Sequence, residues 1–268
     1  MKQAFHPTPY TQVNAVLGRL LADVQSVLGD DFVGMYLYGS LASGGFDLQH
    51  SDIDFVVVTT GQLPQQTVQA LEAMHARLTA SGLPGAAKLE GAYVPRGVLR
   101  RHDPGHPPCA CVNEGRFYQA PLGSDWVIQR HVLREQGVVL AGPAPQTLID
   151  PVTPCAVQDA VRGFLREWWA PMRQQPDPRL HGAVYQAYAV LTMCRALYTL
   201  RTRAIASKSR AARWAQRTLD PQWSTLIEWA KRRGDAPPQP IDAVLAFIRH
   251  TLEQGQVKDD VAKGADPS

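Results

Sequence analysis

Two carboxylates separated by one residue, downstream of a Gly-Ser pair, are the most chemically suggestive feature of this sequence. The segment reads Tyr38-Gly39-Ser40, ten further residues, then Ser51-Asp52-Ile53-Asp54 and the apolar run Phe55-Val56-Val57-Val58. On an extended strand, residues i and i+2 share a face and stand about 6.6–7 Å apart along it. Asp52 and Asp54 are therefore expected to project together, and carboxylates so placed can hold one or two Mg²⁺ ions for a phosphoryl-type displacement. Two like charges beside a buried apolar run are costly unless a cation offsets them. Gly39 lets the backbone approach a ligand, and Ser40 offers a hydroxyl and an amide to phosphate oxygens. Asp-x-Asp alone is also an ordinary turn entering a strand. The Gly-Ser turn closing the preceding strand is what makes the combination restrictive.

Such a site needs strands to carry it. Phe32 to Tyr38 reads as a strand that Gly39-Ser40 breaks, and Ile53 to Thr59 as a second, rich in β-branched residues. The Gly-rich stretch between them has room for one helical turn. Ahead of both, Val13, Val16, Leu17, Leu20, Leu21, Val24 and Leu28 recur at helical spacing, with Thr8 as expected cap, Pro9 at the first position and Gly29 as the stop. Gln65 to Ala80 reads as a helix, Ala87 to Val94 as a third strand, Ser124 to Gln136 as a capped helix and Val138 to Ala141 as a short strand. Between Pro95 and Gly123 prolines and glycines obscure the pattern, with space for one or two short strands. Gly142 to Pro154, with four prolines, looks like a linker. Helical patterns follow: one starting at Thr153-Pro154, then Leu180 to Arg203, Ser207 to Thr218, Pro221 to Arg232 behind Asp220, and Ile241 to Gln254. The polar tail from Gly255 is expected to fray. The expected architecture is α/β: a mixed-sheet domain over 1–150, then an all-helical bundle over 151–268.

Composition narrows the class. The 268 residues are 45% hydrophobic and 19% charged, an ordinary globular balance. A net charge of +3 is too small for a dedicated nucleic-acid binder. No run of about 18 apolar residues predicts a membrane span, and no apolar core near the N-terminus predicts a signal peptide. Four cysteines in this length do not make a disulfide framework. The expectation is a cytoplasmic protein with reduced thiols.

The Gly-Ser turn followed by Asp-x-Asp resembles the nucleotidyltransferase superfamily typified by DNA polymerase beta. That resemblance implies a mixed sheet and a third carboxylate on a later strand, for which Glu90 in Lys88-Leu89-Glu90-Gly91 is the candidate, as metal ligand or base. The likeness narrows further. Tyr36 to Ala42, Asp54, Glu90, Val138 to Pro143 and Leu148 to Val152 look like the aminoglycoside adenylyltransferases acting on streptomycin and spectinomycin, over about residues 30 to 250. The family implies AMP transfer from ATP to an antibiotic hydroxyl, with Mg²⁺, and with Glu90 as general base. It also implies that an Arg and a Lys of the helical domain bind the triphosphate. Leu191-Thr192-Met193-Cys194-Arg195 matches the Arg and Ser207-Lys208 the Lys. A triphosphate carries about four negative charges, so an Arg fork and a Lys suit it.

The sequence also departs from that pattern. In the family an aromatic and an acidic residue just before the Arg-bearing helix help bind the cationic drug. Here Gln174 to Gln186 offers Asp177 among prolines, with His181 further on. Trp168 and Trp169 lie upstream, and Glu114, Asp125 and Glu167 are further acidic candidates without a motif. His102, His106, Cys109 and Cys111 fall within ten residues and raise a rival zinc site. The Cys-x-Cys spacing and three prolines favour a plain loop. Trp214, Trp223 and Trp229 fit a bundle core, and His50 could reach a phosphate or be merely solvated. The alternatives to small-molecule adenylylation are a nucleotide-binding regulatory or antitoxin-like module, and AMP transfer to a protein.

Overall fold

The computed structural model describes residues 6–232 and 235–256, so the polar end beyond 256 lies outside the described residues. The chain divides into two compact units, Met1–Val152 and Thr153–Ser268.

The first unit is a six-stranded mixed sheet. Its strands are β1 (Phe32–Leu37), β2 (Ile53–Thr59), β3 (Leu89–Pro95), β4 (Cys109–Asn113), β5 (Arg116–Ala120) and β6 (Val138–Ala141). They lie in the order β5-β4-β3-β2-β1-β6. β2 and β3 pair in parallel and all other neighbours antiparallel. The parallel pair requires a crossover, supplied by helix α3 (Gln65–Ala80). Helix α1 (Thr11–Leu28) and α3 cover one face, where Val16, Leu17, Leu20, Leu71 and Met74 pack on Met35, Leu37, Phe55, Val57 and Tyr93. Those strand residues alternate with the ones that face the other way, the period of two that a strand imposes.

The start of α1 differs from expectation. Thr8 does not cap it: its hydroxyl donates to Asn14 Oδ1 at 2.7 Å while Asn14 Nδ2 donates back to the Thr8 carbonyl at 2.8 Å. This reciprocal pair ties down the entry, and the helix begins at Thr11. The third strand starts later than expected, at Leu89, after a 3₁₀ turn over Ala86–Lys88.

The proline-rich stretch holds a short helix α4 (Arg96–Arg100) and the β4–β5 hairpin. Its two turn residues, Glu114 and Gly115, both have positive φ, 48° and 75°, as a tight two-residue hairpin requires. Helix α5 (Asp125–Gln136) precedes β6.

The expected linker is instead largely built into this unit. It contains α6 (Pro145–Leu148), and Leu148 and Ile149 are buried. Arg100 and Arg101 grip Asp150 at 2.9 and 2.6 Å, and Arg134 donates to the Gln146 and Ile149 carbonyls.

The second unit is helical. Helix α7 (Pro154–Phe164) is capped by Thr153, whose hydroxyl accepts from the Ala156 amide at 3.1 Å. It runs into a π-helical turn over Leu165–Trp169. Helix α8 (Ala183–Thr202) is central, with Ala187, Val190, Leu191, Met193, Cys194 and Leu197 buried. It starts three residues later than the pattern suggested, because Asp177 caps a separate 3₁₀ turn over Pro178–His181. Around α8 pack α9 (Lys208–Thr218), α10 (Ser224–Ala230) and α11 (Ile241–Gln254). Trp214 meets Tyr198, and Trp223 meets Phe247. Trp229 is buried and donates to the Pro237 carbonyl at 2.9 Å. Among the described residues no helix is long and apolar enough to cross a membrane.

Candidate active site

The strand registers bring three residues abreast. Asp54 on β2 is the direct partner of Glu90 on β3. On its other side, the Tyr38 amide donates to the Asp54 carbonyl at 3.2 Å, extending the β1–β2 ladder by one step. Neighbouring strands lie about 4.8 Å apart, and partners in register point to the same face. Asp54 and Glu90 therefore project side by side, on the face opposite the α1 and α3 core, and both are partly buried.

Asp52 sits differently from expectation. The parallel ladder opens at Ile53, paired with Leu89, so Asp52 lies one residue before the strand and is exposed. The loop that delivers it is shaped by Asp47, whose side chain accepts from the Gln49 and His50 amides at 2.8 and 3.2 Å. His50 Nδ1 also lies 3.3 Å from Asp47. Lys88 Nζ clasps the same loop, donating to the Leu48 and Gln49 carbonyls at 2.8 and 2.7 Å. Nothing local in the sequence marks Lys88 for this, since its partners are about forty residues away.

Gly39 and Ser40 open a one-turn helix α2 (Gly39–Ala42) against Asp54. Gly39 has φ +63°, and a Cβ there would fall 2.0 Å from Asp54 Oδ2. The Ser40 amide points to that same oxygen at 3.4 Å. Its hydroxyl is buried with no hydrogen-bond partner, which is a cost unless a ligand supplies one. The turn thus presses a glycine backbone, an amide and an orphaned hydroxyl onto a carboxylate.

The electrostatics are acidic. Burial first, then the negative charges of Asp54, Glu90 and Asp125, hold the Tyr38 phenol well above its ordinary pKa. Asp125, in the first turn of α5, thereby joins the surroundings of the site; the sequence offered it only as one acidic residue among several.

Cys109 and Cys111 lie within β4, not in a loop, and burial pushes their thiols up to about 11 and about 12. Both side chains are buried in the core, within a paired strand. His106 Nδ1 is 2.7 Å from the Pro107 carbonyl. Among the described residues no three His, Cys, Asp or Glu side chains form a ready metal cage. For zinc that disfavours the rival site. For Mg²⁺ it does not, because that ion usually takes one or two carboxylates together with substrate phosphates. Oxygen donors such as Asp54 and Glu90, abreast in register, suit such an ion, whereas Asp52 lies on the loop before the strand and the expected set of three is not gathered into one cage among the described residues.

In the second unit, Arg195 is partly buried on α8, and Lys208 is the first residue of α9. Ser207 caps that helix by accepting from the Arg210 amide at 3.3 Å. Asp177 is paired with Arg179 at 2.6 Å.

The family model for the C-terminal domain of aminoglycoside adenylyltransferases matches residues 147–252. An aminoglycoside (3'') (9) adenylyltransferase of Klebsiella pneumoniae is 30% identical over 246 residues, covering 87% of each chain. The chain belongs to the aminoglycoside adenylyltransferases. It is accordingly an enzyme, an adenylyltransferase. A further member from Rhizobium radiobacter is 28% identical over 94% of this chain and 95% of its own. A spectinomycin 9-adenylyltransferase of Staphylococcus aureus is 24% identical over 86% of this chain and 91% of its own. The fold also matches the crystal structure of a spectinomycin adenyltransferase from Enterococcus faecialis with ATP and spectinomycin. That match has a TM-score of 0.71 at 16% identity, over 90% of this chain and 98% of the other.

Proposed function

We propose that this enzyme moves AMP from ATP to a hydroxyl of a small molecule of the aminoglycoside class, with Mg²⁺ as the activating ion. The observation that carries the reading is the pairing of Asp54 with Glu90 in adjacent strands, beside a turn that leaves the Ser40 hydroxyl without a partner. The relatives' names supply the antibiotic class, and the Enterococcus structure pairs ATP with spectinomycin in that protein.

In this reading Glu90 accepts the proton of the acceptor hydroxyl as its oxygen attacks the α-phosphorus, and pyrophosphate leaves. Asp52 and Asp54 hold Mg²⁺, which when bound offsets charge on the phosphate oxygens. Gly39 lets the turn lie close to the phosphates, and the Ser40 hydroxyl and amide hydrogen-bond to them. Arg195 and Lys208 supply further positive charge to the triphosphate. Glu90 and Asp125 leave the neighbourhood of the acceptor negative, which suits amino groups on a cationic drug.

The test is a panel of aminoglycosides and unrelated hydroxylated compounds incubated with α-phosphate-labelled ATP and Mg²⁺. Label is then counted separately on small molecules and on protein. Label on an aminoglycoside, lost on chelation, is the expected result. Label confined to protein, or no transfer at all, sinks the proposal in favour of a protein-modifying or regulatory role.

A further inference from the structure

We propose that Tyr188 is a positioning residue for Lys208, holding its ammonium by the face of the phenol ring. The inference rests on the reading of Lys208 as a triphosphate ligand and goes beyond it by naming what aims the lysine.

Lys208 Nζ lies 5.5 Å from the centroid of the Tyr188 ring, within the range at which a ring's negative face attracts a cation. As the first residue of α9, Lys208 sits at the positive end of the helix dipole, where a cation is disfavoured. It also has a four-carbon stem with many accessible rotamers, and each contact that narrows them aims the ammonium.

The ring that receives it is itself held. Tyr188 packs, tilted, against Trp169 at 6.1 Å and 32°, and against Tyr185 at 5.5 Å and 31°. Trp169 is buried, while Tyr188 stays 40% exposed, so one edge of this row is anchored and the middle ring is reachable. At the far end Arg179 covers Tyr185 at 4.4 Å and is itself fixed by Asp177.

Spacing on α8 adds a second argument. Tyr188 and Arg195 are seven residues apart, two helical turns, so they lie on one stripe about 10.5 Å apart along the axis. The ring that props Lys208 is therefore on the same side of α8 as the other proposed triphosphate cation. A Tyr at 188 places the ammonium against that stripe and leaves the charge itself undiminished.

The test is a double-mutant cycle read on ATP. Tyr188→Leu is expected to raise the Kd and KM for ATP by roughly two- to five-fold, the weight of one exposed ring–cation contact. The effect falls on KM rather than on kcat, which a loss of folded protein would lower instead. Tyr188→Phe, which keeps the ring face, is expected to restore the wild-type value. In a Lys208→Ala background, Tyr188→Leu should add nothing, because the residue acts only through the lysine. Equal effects of Tyr188→Leu in both backgrounds overturn the inference. So does an unchanged KM in Tyr188→Leu when Lys208→Ala alone weakens ATP. If Lys208→Ala itself leaves ATP binding intact, the reading of Lys208 fails, and the role of Tyr188 with it.

Discussion

Replacing Gly39 by alanine should damage the chemistry far more than the fold. The backbone there has φ +63°, which an L-residue adopts at a cost of about 1 kcal/mol. The new methyl would lie 2.0 Å from Asp54 Oδ2 and 2.5 Å from its carboxyl carbon, whereas ordinary contact begins at 3.4 Å. The carboxylate or the turn must therefore retreat by more than an ångström. A displacement of about 1 Å in a reacting constellation costs on the order of 10²-fold in rate. Strain and repacking together should cost about 1–3 kcal/mol in stability, a drop of several degrees in Tm. Gly44 supplies the control, since it has φ +70° in the same loop but nothing within 4 Å of a Cβ. Gly44→Ala thus carries the backbone strain without the collision. The assay is pyrophosphate release with ATP and acceptor, alongside thermal melting of both variants. Gly39→Ala should lose about 10² in kcat/KM while Gly44→Ala stays within a few-fold of the parent. Equal activities in the two variants would refute the claim that the turn is packed against the Asp54 carboxylate.

Asp54→Asn should abolish AMP transfer while leaving the melting temperature near or above that of the parent, because one of two adjacent carboxylates is removed; substantial turnover in that variant contradicts the assignment. Burial holds the His75 imidazole down to about 4 from 6.5, against Tyr93 at 2.7 Å, so the unfolded chain binds an extra proton between those values. Stability from this group is full above pH 6.5 and falls towards pH 4, by ~3 kcal/mol. Urea melts across that range should show the slope, and His75→Gln should flatten it. Cys155 is exposed while Cys109, Cys111 and Cys194 are buried with thiols pushed up to about 11, 12 and 12. A thiol reagent should therefore modify one cysteine of the four in the native protein, and rapid loss of a second contradicts the burial. Arg130→Met should destabilise the first unit by about 2–3 kcal/mol, since the guanidinium satisfies the Leu99 and Arg100 carbonyls; denaturant titration checks this.

Much of this architecture is readable along the chain because periodicity is local. The α1 stripe, the β-branched run from Ile53 and the capping residues Thr153 and Ser207 all announce elements that the structure contains. The β4–β5 hairpin is hard to read because Cys109 to Asn113 has a single β-branched residue and β5 is an exposed, mostly polar edge. The Gly-Ser turn and the carboxylates were visible as a motif, but their arrangement was not. Asp52 falls off the end of a ladder whose start is decided by the pairing of Ile53 with Leu89. Glu90 carries no spacing signal of its own; the family resemblance is what points to it. Lys88, Asp125 and Tyr188 act on partners distant in sequence or in another helix, where no local pattern points to them.

The distance between Asp54 and Glu90 is set by main-chain hydrogen bonding, a constant of extended polypeptide, and not by how their side chains happen to pack. Such a gap tolerates wide drift in the surrounding sequence, but it exists only once the chain has looped through α3 and returned alongside itself. A truncated or mispaired molecule would therefore have no partial version of this pair of acids to offer. One residue of slippage between the two strands would turn Glu90 inward among the apolar side chains beneath α1 and α3, away from the chemistry proposed for it.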